Sequence, residues 1–142
     1  MIRRSGRDEA EKHFRVQRAA ALAGFAHVFP PELYPFPDDA IRDRWRRFEG
    51  TVLVAERDGE VVGVAGIEGE WLHGFYVLPE WWGTGVADEL HAAAVERGVA
   101  RLWCLEENGR ARRFYEKRGW RPNGETRVVE YPPHPIDVGY SR

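Results

Sequence analysis

The sequence predicts a single-domain α/β fold with a mixed, mostly antiparallel central sheet and helices on both faces. Three observations lead to this prediction. The middle of the chain reads as a meander of strands, the later part alternates strands with amphipathic helices, and no repeat or low-complexity linker divides the 142 residues. A meander produces antiparallel pairs, whereas a strand–helix–strand connection allows a parallel one. Residues 1–142 are therefore expected to form one domain.

The first third of the chain is predicted to contain two helices separated by a proline-rich loop. Residues Asp8 to about Ala23 favour helix and carry an interrupted apolar stripe. Four prolines between Val28 and Pro37 exclude a helix there and force an extended connection. Asp38 is expected to cap the second helix, which Gly50 ends.

The middle of the chain is predicted to form three strands. Thr51 to Arg57 and Glu60 to Ile67 are expected to pair as a hairpin, because Asp58-Gly59 between them is a strong two-residue turn signal. A third strand is expected from Trp71 to Leu78.

The last part of the chain alternates helices and strands. A helix is predicted from about Thr84 to Arg97 and a short buried strand from Arg101 to Leu105. Asn108 is expected to cap a helix that runs to Arg118. Two further strands are expected near Thr126 to Tyr131 and Asp137 to Tyr140.

The loop before the third predicted helix is the most informative part of the sequence, Val77 to Ala87 (VLPEWWGTGVA). Gly83 and Gly85 let the backbone approach an anion, and the first N–H groups of a helix have no partner within it. Glycines also mark ordinary turns. The loop lacks the Gly-Lys-Ser/Thr of nucleotide triphosphate sites and comes too late for a dinucleotide fold, which favours coenzyme A as the ligand.

A second motif follows downstream, from Asn108 to Trp120 (NGRARRFYEKRGW). Ala111, Phe114 and Tyr115 share a helical face with Asn108, so the small residue allows close packing and the phenol is expected to face the sheet. A purely structural role for the tyrosine, packed beside Phe114, is the alternative.

Together the two segments resemble the GCN5-related N-acetyltransferase (GNAT) superfamily, in which a pyrophosphate loop is followed by a helix with an Asn and a catalytic Tyr. The resemblance covers the chain from about Thr51 onward. It implies the acyl-CoA N-acyltransferase fold and an acetyl-CoA-dependent N-acetyltransferase without a metal. Such an enzyme moves an acetyl group directly onto a primary amine of a small molecule, peptide or protein.

The resemblance also implies a role for each matching residue. Tyr76 and Val77 would offer backbone groups to the pantetheine arm, Asn108 would contact the cofactor, and Tyr115 would protonate the departing thiolate. The residues that would wrap the pyrophosphate are Trp82, Gly83, Thr84, Gly85, Val86 and Ala87. The family usually has Gln or Arg where this chain has Trp82, a difference that puts the affinity for the cofactor in question.

His73 is the favoured general base, because the pKa of a free imidazole lies near neutrality. Glu68 and Glu70 flank a turn beside the same strand and are the alternatives. For all three, a solvated surface position is the competing interpretation. The loop from Phe25 to Phe36 lies where the family shapes its acceptor pocket, and a packed connector is the other interpretation of that loop.

Three arginines of the second motif leave two interpretations open. They could reach the 3′-phosphate of coenzyme A, or they could form a solvated helix face, which is the commoner role of such a cluster. The three residues are Arg110, Arg112 and Arg113.

Composition narrows the partners and the location. The chain has 21 basic and 23 acidic residues, so its near-zero net charge argues against nucleic acid as a partner. It has no apolar run that could enter a membrane, and the single Cys104 in an apolar segment fits a reduced thiol in the cytoplasm. An amine acceptor is the expected partner, with a homodimer as a further candidate.

Two functions compete with the acetyltransferase. A catalytically idle acyl-CoA-binding module would keep the glycine loop and lose the proton donor, so Tyr115 argues against it. A transferase that uses a longer acyl chain would differ in the depth of its pocket.

Overall fold

The computed structural model describes all 142 residues, which form seven strands and four α-helices. Short 3-10 turns lie at Arg7–Glu9 and Pro79–Trp81. In chain order the elements are β1 (Ile2–Ser5), α1 (Ala10–Gly24), α2 (Asp38–Arg47), β2 (Thr51–Arg57), β3 (Glu60–Glu68), β4 (Trp71–Val77), α3 (Val86–Glu96), β5 (Arg101–Leu105), α4 (Gly109–Glu116), β6 (Arg121–Val128) and β7 (Ile136–Ser141).

The seven strands form one sheet in the order β1-β2-β3-β4-β5-β7-β6. Every neighbouring pair is antiparallel except β4 and β5, which run parallel because α3 carries the chain across between them. The predicted mixed, mostly antiparallel sheet is therefore confirmed.

Helices cover both faces of the sheet, each over its own group of buried side chains. On one face α1 and α2 pack through Phe14, Ile41 and Trp45 against valines of β2 and β3. On the other face Leu90 of α3 and Tyr115 of α4 share a core with leucines and aromatic residues of β4, β5 and β7. Burial of these large apolar side chains removes them from water and is the main stabilising contribution to the fold.

The parallel pair of strands separates soon after it begins. Register contacts between β4 and β5 exist only at Trp71 with Arg101 and at Leu72 with Leu102. Beyond that point β5 continues beside β7 and β4 continues beside β3. A bulge accompanies the separation, since Gly66 faces Gly74 and Ile67 faces Leu72, which leaves His73 as the extra residue. The result is a wedge-shaped opening between the carboxyl halves of β4 and β5.

The N-terminal strand and the start of β6 differ from the sequence-based prediction. β1 is short and pairs antiparallel with β2, although its charged sequence carries no apolar alternation. β6 begins at Arg121 instead of Thr126, and every residue in it is exposed. Because this edge strand contains Pro122 and Gly124 and its pairing is irregular between Pro122 and Thr126, the pattern of a strand is absent from its sequence.

Two helix starts also differ from the prediction. Asp38 does not cap α2: it lies in the first turn, and its carboxylate accepts a hydrogen bond from Nε of Arg18 at 3.0 Å. α3 begins at Val86 because Gly85, with φ of +94°, has left-handed backbone that cannot belong to the helix. No helix of the fold is both long enough and apolar enough to cross a membrane.

Candidate active site

The loop from Trp82 to Gly85 has an unusual backbone that its glycines make accessible. Gly83 and Gly85 have φ of +75° and +94°, a region that side chains disfavour. No atom lies within 4 Å of where a Cβ would stand at either residue, so the backbone angle and not crowding calls for glycine. The Thr84 hydroxyl donates to the carbonyl of Trp81 at 2.5 Å and ties the loop to the preceding turn.

This backbone leaves a run of N–H groups without partners. The consecutive N–H groups from Gly83 to Asp88 donate to no carbonyl or side chain of the protein, and the first N–H of α3 that does so belongs to Glu89, which bonds to Gly85 at 3.1 Å. They lie where the dipole of α3 is positive. The arrangement is suited to a phosphate or pyrophosphate group.

The side chain of Trp82 connects this loop to the end of β4. Its indole Nε1 donates to the carbonyl of Val77 at 2.8 Å, and the guanidinium of Arg110 lies 3.5 Å above its ring. The Val77 carbonyl therefore already accepts one hydrogen bond and has a second lone pair left for a ligand. The indole therefore occupies the space beside the last residue of β4.

A central cavity of about 910 Å³ occupies the opening between β4 and β5. Side chains from α1, from β4 and β5, from α4, and from the chain segments before α2 and before β7 line it. The site residues predicted from the sequence that line it are His73, Tyr76, Asn108 and Tyr115. The residues of the glycine loop do not line this cavity. The candidate site thus has two parts, a loop whose free N–H groups suit an anion and a mostly apolar cavity.

Tyr115 lies on α4 with only 8% of its surface exposed, packed edge-on against Phe75 and Trp120. Burial raises the pKa of its phenol well above the ordinary value, so the group stays protonated at neutral pH. Its hydroxyl forms no hydrogen bond within the protein, yet it is not sealed off, because the one sealed and unpartnered side-chain polar atom is Nδ1 of His13. A proton donor without a partner therefore lies at the cavity wall.

Asn108 begins α4 as predicted. Its Oδ1 accepts a hydrogen bond from the backbone N–H of Ala111 at 3.2 Å, which caps the helix. The residue is buried and lines the cavity, and its amide nitrogen donates to no group of the protein. That nitrogen is free to donate to a bound molecule.

Tyr76 is held by a short chain of hydrogen bonds. Trp45 Nε1 donates to Oε1 of Gln17 at 2.7 Å, and Nε2 of Gln17 donates to the Tyr76 hydroxyl at 3.2 Å. Burial raises the pKa of Tyr76, so its own proton remains available to a partner. Gln17 on α1 is a cavity residue that the sequence analysis did not single out.

His73, the extra residue of the bulge, is exposed and stacks on the ring of Trp71. Its Nε2 lies 3.3 Å from Oε1 of Glu68. His73 also lines a smaller pocket of about 500 Å³ on the α2 side, together with Glu68. Glu70 lines neither space and lies 3.8 Å from Arg101. The structure thus brings His73 and Glu68 together near the cavity and leaves Glu70 apart.

Residues 14–120 match the model of the acetyltransferase (GNAT) family, which is most of the chain. The chain belongs to the GNAT family. An uncharacterized N-acetyltransferase of Archaeoglobus fulgidus is 30% identical over an alignment of 141 positions that covers 84% of this chain and 92% of the relative. A protein of Mycobacterium bovis with the same description is 38% identical over 94 residues, and that match covers 58% of this chain and 60% of the relative.

Solved structures share the fold at lower identity. The apo form of YjaB from Escherichia coli superimposes with a TM-score of 0.82 at 22% identity, covering 99% of this chain and 95% of that one. The PaiA N-acetyltransferase of Thermoplasma acidophilum, solved with coenzyme A, gives a TM-score of 0.67 at 17% identity and covers 100% and 98% of the two chains. The family match makes this chain an N-acetyltransferase, and the solved structures confirm the predicted fold.

The three arginines of α4 have different surroundings in this GNAT fold. Arg112 donates to the Tyr140 hydroxyl at 2.8 Å and to the carbonyl of Glu106 at 3.0 Å, so it has a structural role. Arg110 covers Trp82, and Arg113 is exposed. No cluster of three or more His, Cys, Asp or Glu side chains is arranged to hold a metal ion.

Asp137 and Cys104 also line the cavity, and the sequence assigned no catalytic or binding role to either. Asp137 at the start of β7 is a buried carboxylate, and its Oδ2 accepts a hydrogen bond from Nε of Arg127 at 2.9 Å. The one feature of the sequence that could have indicated Asp137 is an acidic residue between apolar residues in a short predicted strand. Cys104 was expected to be buried, and it is; burial raises the pKa of its thiol to about 12, so it stays a neutral thiol at the cavity wall.

Proposed function

We propose that this chain is an acetyl-CoA-dependent N-acetyltransferase that moves an acetyl group onto a primary amine by direct transfer, with Tyr115 as the general acid. The observation that carries the proposal is the run of unpartnered N–H groups from Gly83 to Asp88. The loop follows the end of β4, one of the two strands that bound the opening, and Tyr115 lies in the wall of the cavity in that opening.

The donor is proposed to lie along the opening between β4 and β5. Its pyrophosphate would accept hydrogen bonds from the glycine loop, which comprises Trp82, Gly83, Thr84, Gly85, Val86 and Ala87. The pantetheine arm would then meet the backbone of Tyr76 and Val77 on one side and the free amide nitrogen of Asn108 on the other. Backbone at an opened strand is suited to this because its polar groups need partners.

The chemistry follows from the groups at the cavity. The nitrogen of a neutral amine attacks the thioester carbonyl carbon, and the tetrahedral intermediate collapses by breaking the C–S bond. Tyr115 gives its proton to the departing sulfur, which its raised pKa permits because the phenol is still protonated at neutral pH. The proton that the amine must lose is proposed to pass to His73, with Glu68 beside it as the alternative acceptor.

A longer acyl group is the second candidate donor. The cavity of about 910 Å³ is far larger than an acetyl group needs and is lined largely by apolar side chains. The acceptor must share that space, so the volume alone favours neither donor. A series of acyl-CoA esters of increasing chain length, compared by kcat/KM, separates the two.

Calorimetric titration with acetyl-CoA is the direct test of the donor. We expect micromolar binding of acetyl-CoA and little or no binding of ATP, with dephospho-CoA as the probe of the 3′-phosphate. Binding of acetyl-CoA without acetyl transfer to any amine would favour the catalytically idle module. No binding at millimolar acetyl-CoA would mean that Trp82 closes the loop.

Three further points remain proposals. Residues 1–142 are proposed to form one domain, the free thiol of Cys104 is consistent with the reducing cytoplasm, and a homodimer is the candidate assembly. Size-exclusion chromatography with light scattering measures the last of these.

A further inference from the structure

Asp137 is the buried carboxylate of the central cavity. Only 7% of its surface is exposed, and it contributes to the cavity wall together with Tyr115 and Asn108. A buried charge is costly unless it is paired and hydrogen-bonded, so its partners decide what it can do.

Arg127 donates a hydrogen bond to only one of the two oxygens of this carboxylate. The two residues lie directly opposite each other on β6 and β7, and the single hydrogen bond joins Nε to Oδ2. The guanidinium also lies 4.6 Å from the ring of Trp103, and 54% of the Arg127 side chain is exposed. Oδ1 has no partner in the protein and is not sealed from solvent. One charged oxygen therefore remains open to a molecule in the cavity.

The cavity that this carboxylate lines suits a cation with an apolar body. Aromatic side chains from three parts of the chain line the cavity, among them Phe29, Trp103 and Tyr131. Aromatic faces attract cations and cover apolar groups. Glu130 adds a second carboxylate to the wall, and Arg44 and Arg127 are its two cations. Glu130 and Arg44 are both exposed, so Asp137 is the buried charge among these four.

We propose that Asp137 binds the ammonium group of the acceptor through Oδ1, which makes the acceptor a primary amine joined to an apolar aryl or alkyl body. The bound ammonium loses one proton, with His73 as the proposed acceptor, before its nitrogen attacks the thioester. The proton that the nitrogen loses after the attack returns to Tyr115, which has given its own proton to the departing sulfur. This inference rests on the proposed function. The competing role of Asp137 is structural, a pair with Arg127 that joins β6 to β7. The two roles differ in what happens when the charge of the ligand is removed.

The test compares a charged probe with its neutral isostere. We would titrate the protein, with coenzyme A present, with 2-phenylethylammonium and with 2-phenylethanol. A hydrogen bond to a charged group contributes about 1.5–3 kcal/mol, which is roughly tenfold or more in affinity. Asp137→Asn should weaken binding of the ammonium at least roughly tenfold and leave the alcohol unchanged. Glu125→Gln removes a carboxylate that pairs with Arg101 outside the cavity, and it should change neither affinity.

Arg127→Gln gives a second, opposite readout. It keeps the carboxylate and removes the neighbouring positive charge, so the ammonium should bind several-fold more tightly while the alcohol does not. This arm stands even if Asp137→Asn fails to fold. The inference is overturned if the ammonium binds no better than the alcohol to the parent protein, if Asp137→Asn weakens both probes equally, or if Arg127→Gln does not strengthen the ammonium.

A parallel assay of acetyl transfer separates this inference from the function beneath it. If the parent protein acetylates amines and Asp137→Asn leaves the KM for those amines unchanged, the role of Asp137 is overturned and the acetyltransferase function stands. Absence of transfer to every amine, with acetyl-CoA bound, would overturn both.

Discussion

We expect the replacement of Tyr115 by phenylalanine to separate catalysis from folding in this protein. The hydroxyl forms no hydrogen bond within the chain, so its removal breaks no interaction of the folded state and should leave the free energy of unfolding nearly unchanged. A general acid contributes roughly 10²–10⁴-fold to the rate. We therefore expect kcat to fall by about that factor while the affinity for acetyl-CoA is kept.

Tyr140→Phe is the matched control with the opposite signature. The Tyr140 hydroxyl is bonded to Glu116 at 2.6 Å and to Arg112 at 2.8 Å, and the residue does not line the cavity. Loss of hydrogen bonds to charged groups should cost about 1.5–3 kcal/mol in the free energy of unfolding and leave kcat unchanged. Steady-state kinetics and urea denaturation of both variants measure the two effects. Unchanged kcat in Tyr115→Phe would refute its role as the acid.

Three further predictions concern the loop and two buried histidines. Gly85→Val should weaken acetyl-CoA binding, because a side chain at φ of +94° costs about 1–2 kcal/mol, as calorimetry can show. Trp82→Arg should strengthen it, because a guanidinium at this position adds a positive charge and N–H donors for the phosphates; weaker binding would contradict this. Burial lowers the pKa of His13 and His91 from 6.5 to about 4, so the unfolded chain binds more protons and stability should fall as pH drops from 6.5 to 4 in urea titrations.

Much of the fold could be predicted because local signals and tertiary structure agree. The hairpin at Asp58-Gly59, the helix start at Asn108 and the strand Arg101–Leu105 follow from turn chemistry, capping and apolar runs. β1 and the first half of β6 could not be predicted, because both are edge strands held by backbone pairing with a neighbour. Backbone pairing of this kind does not require alternating apolar side chains, so the sequence shows no strand periodicity there.

The candidate site could be predicted where it depends on one segment. The free N–H groups follow from glycines ahead of a helix, and the position of Tyr115 follows from the spacing within α4. Asp137 and Gln17 could not be found in this way, because the fold alone brings β7 and α1 to the cavity that Tyr115 lines. Residues that are far apart in the sequence meet at this cavity only because of the order of the strands in the sheet, which local patterns do not show.

The separation of β4 from β5 also affects how the protein avoids aggregation. Where the two strands diverge, each has backbone N–H and C=O groups with no neighbouring strand on that side. Two edges of the sheet therefore lie inside the molecule. Loops and α4 surround that opening, which keeps other chains from pairing with it. The outer edge at β6 is exposed. There the charged arginine and glutamate side chains and Pro122, which has no N–H to donate, disfavour pairing with a strand of another chain.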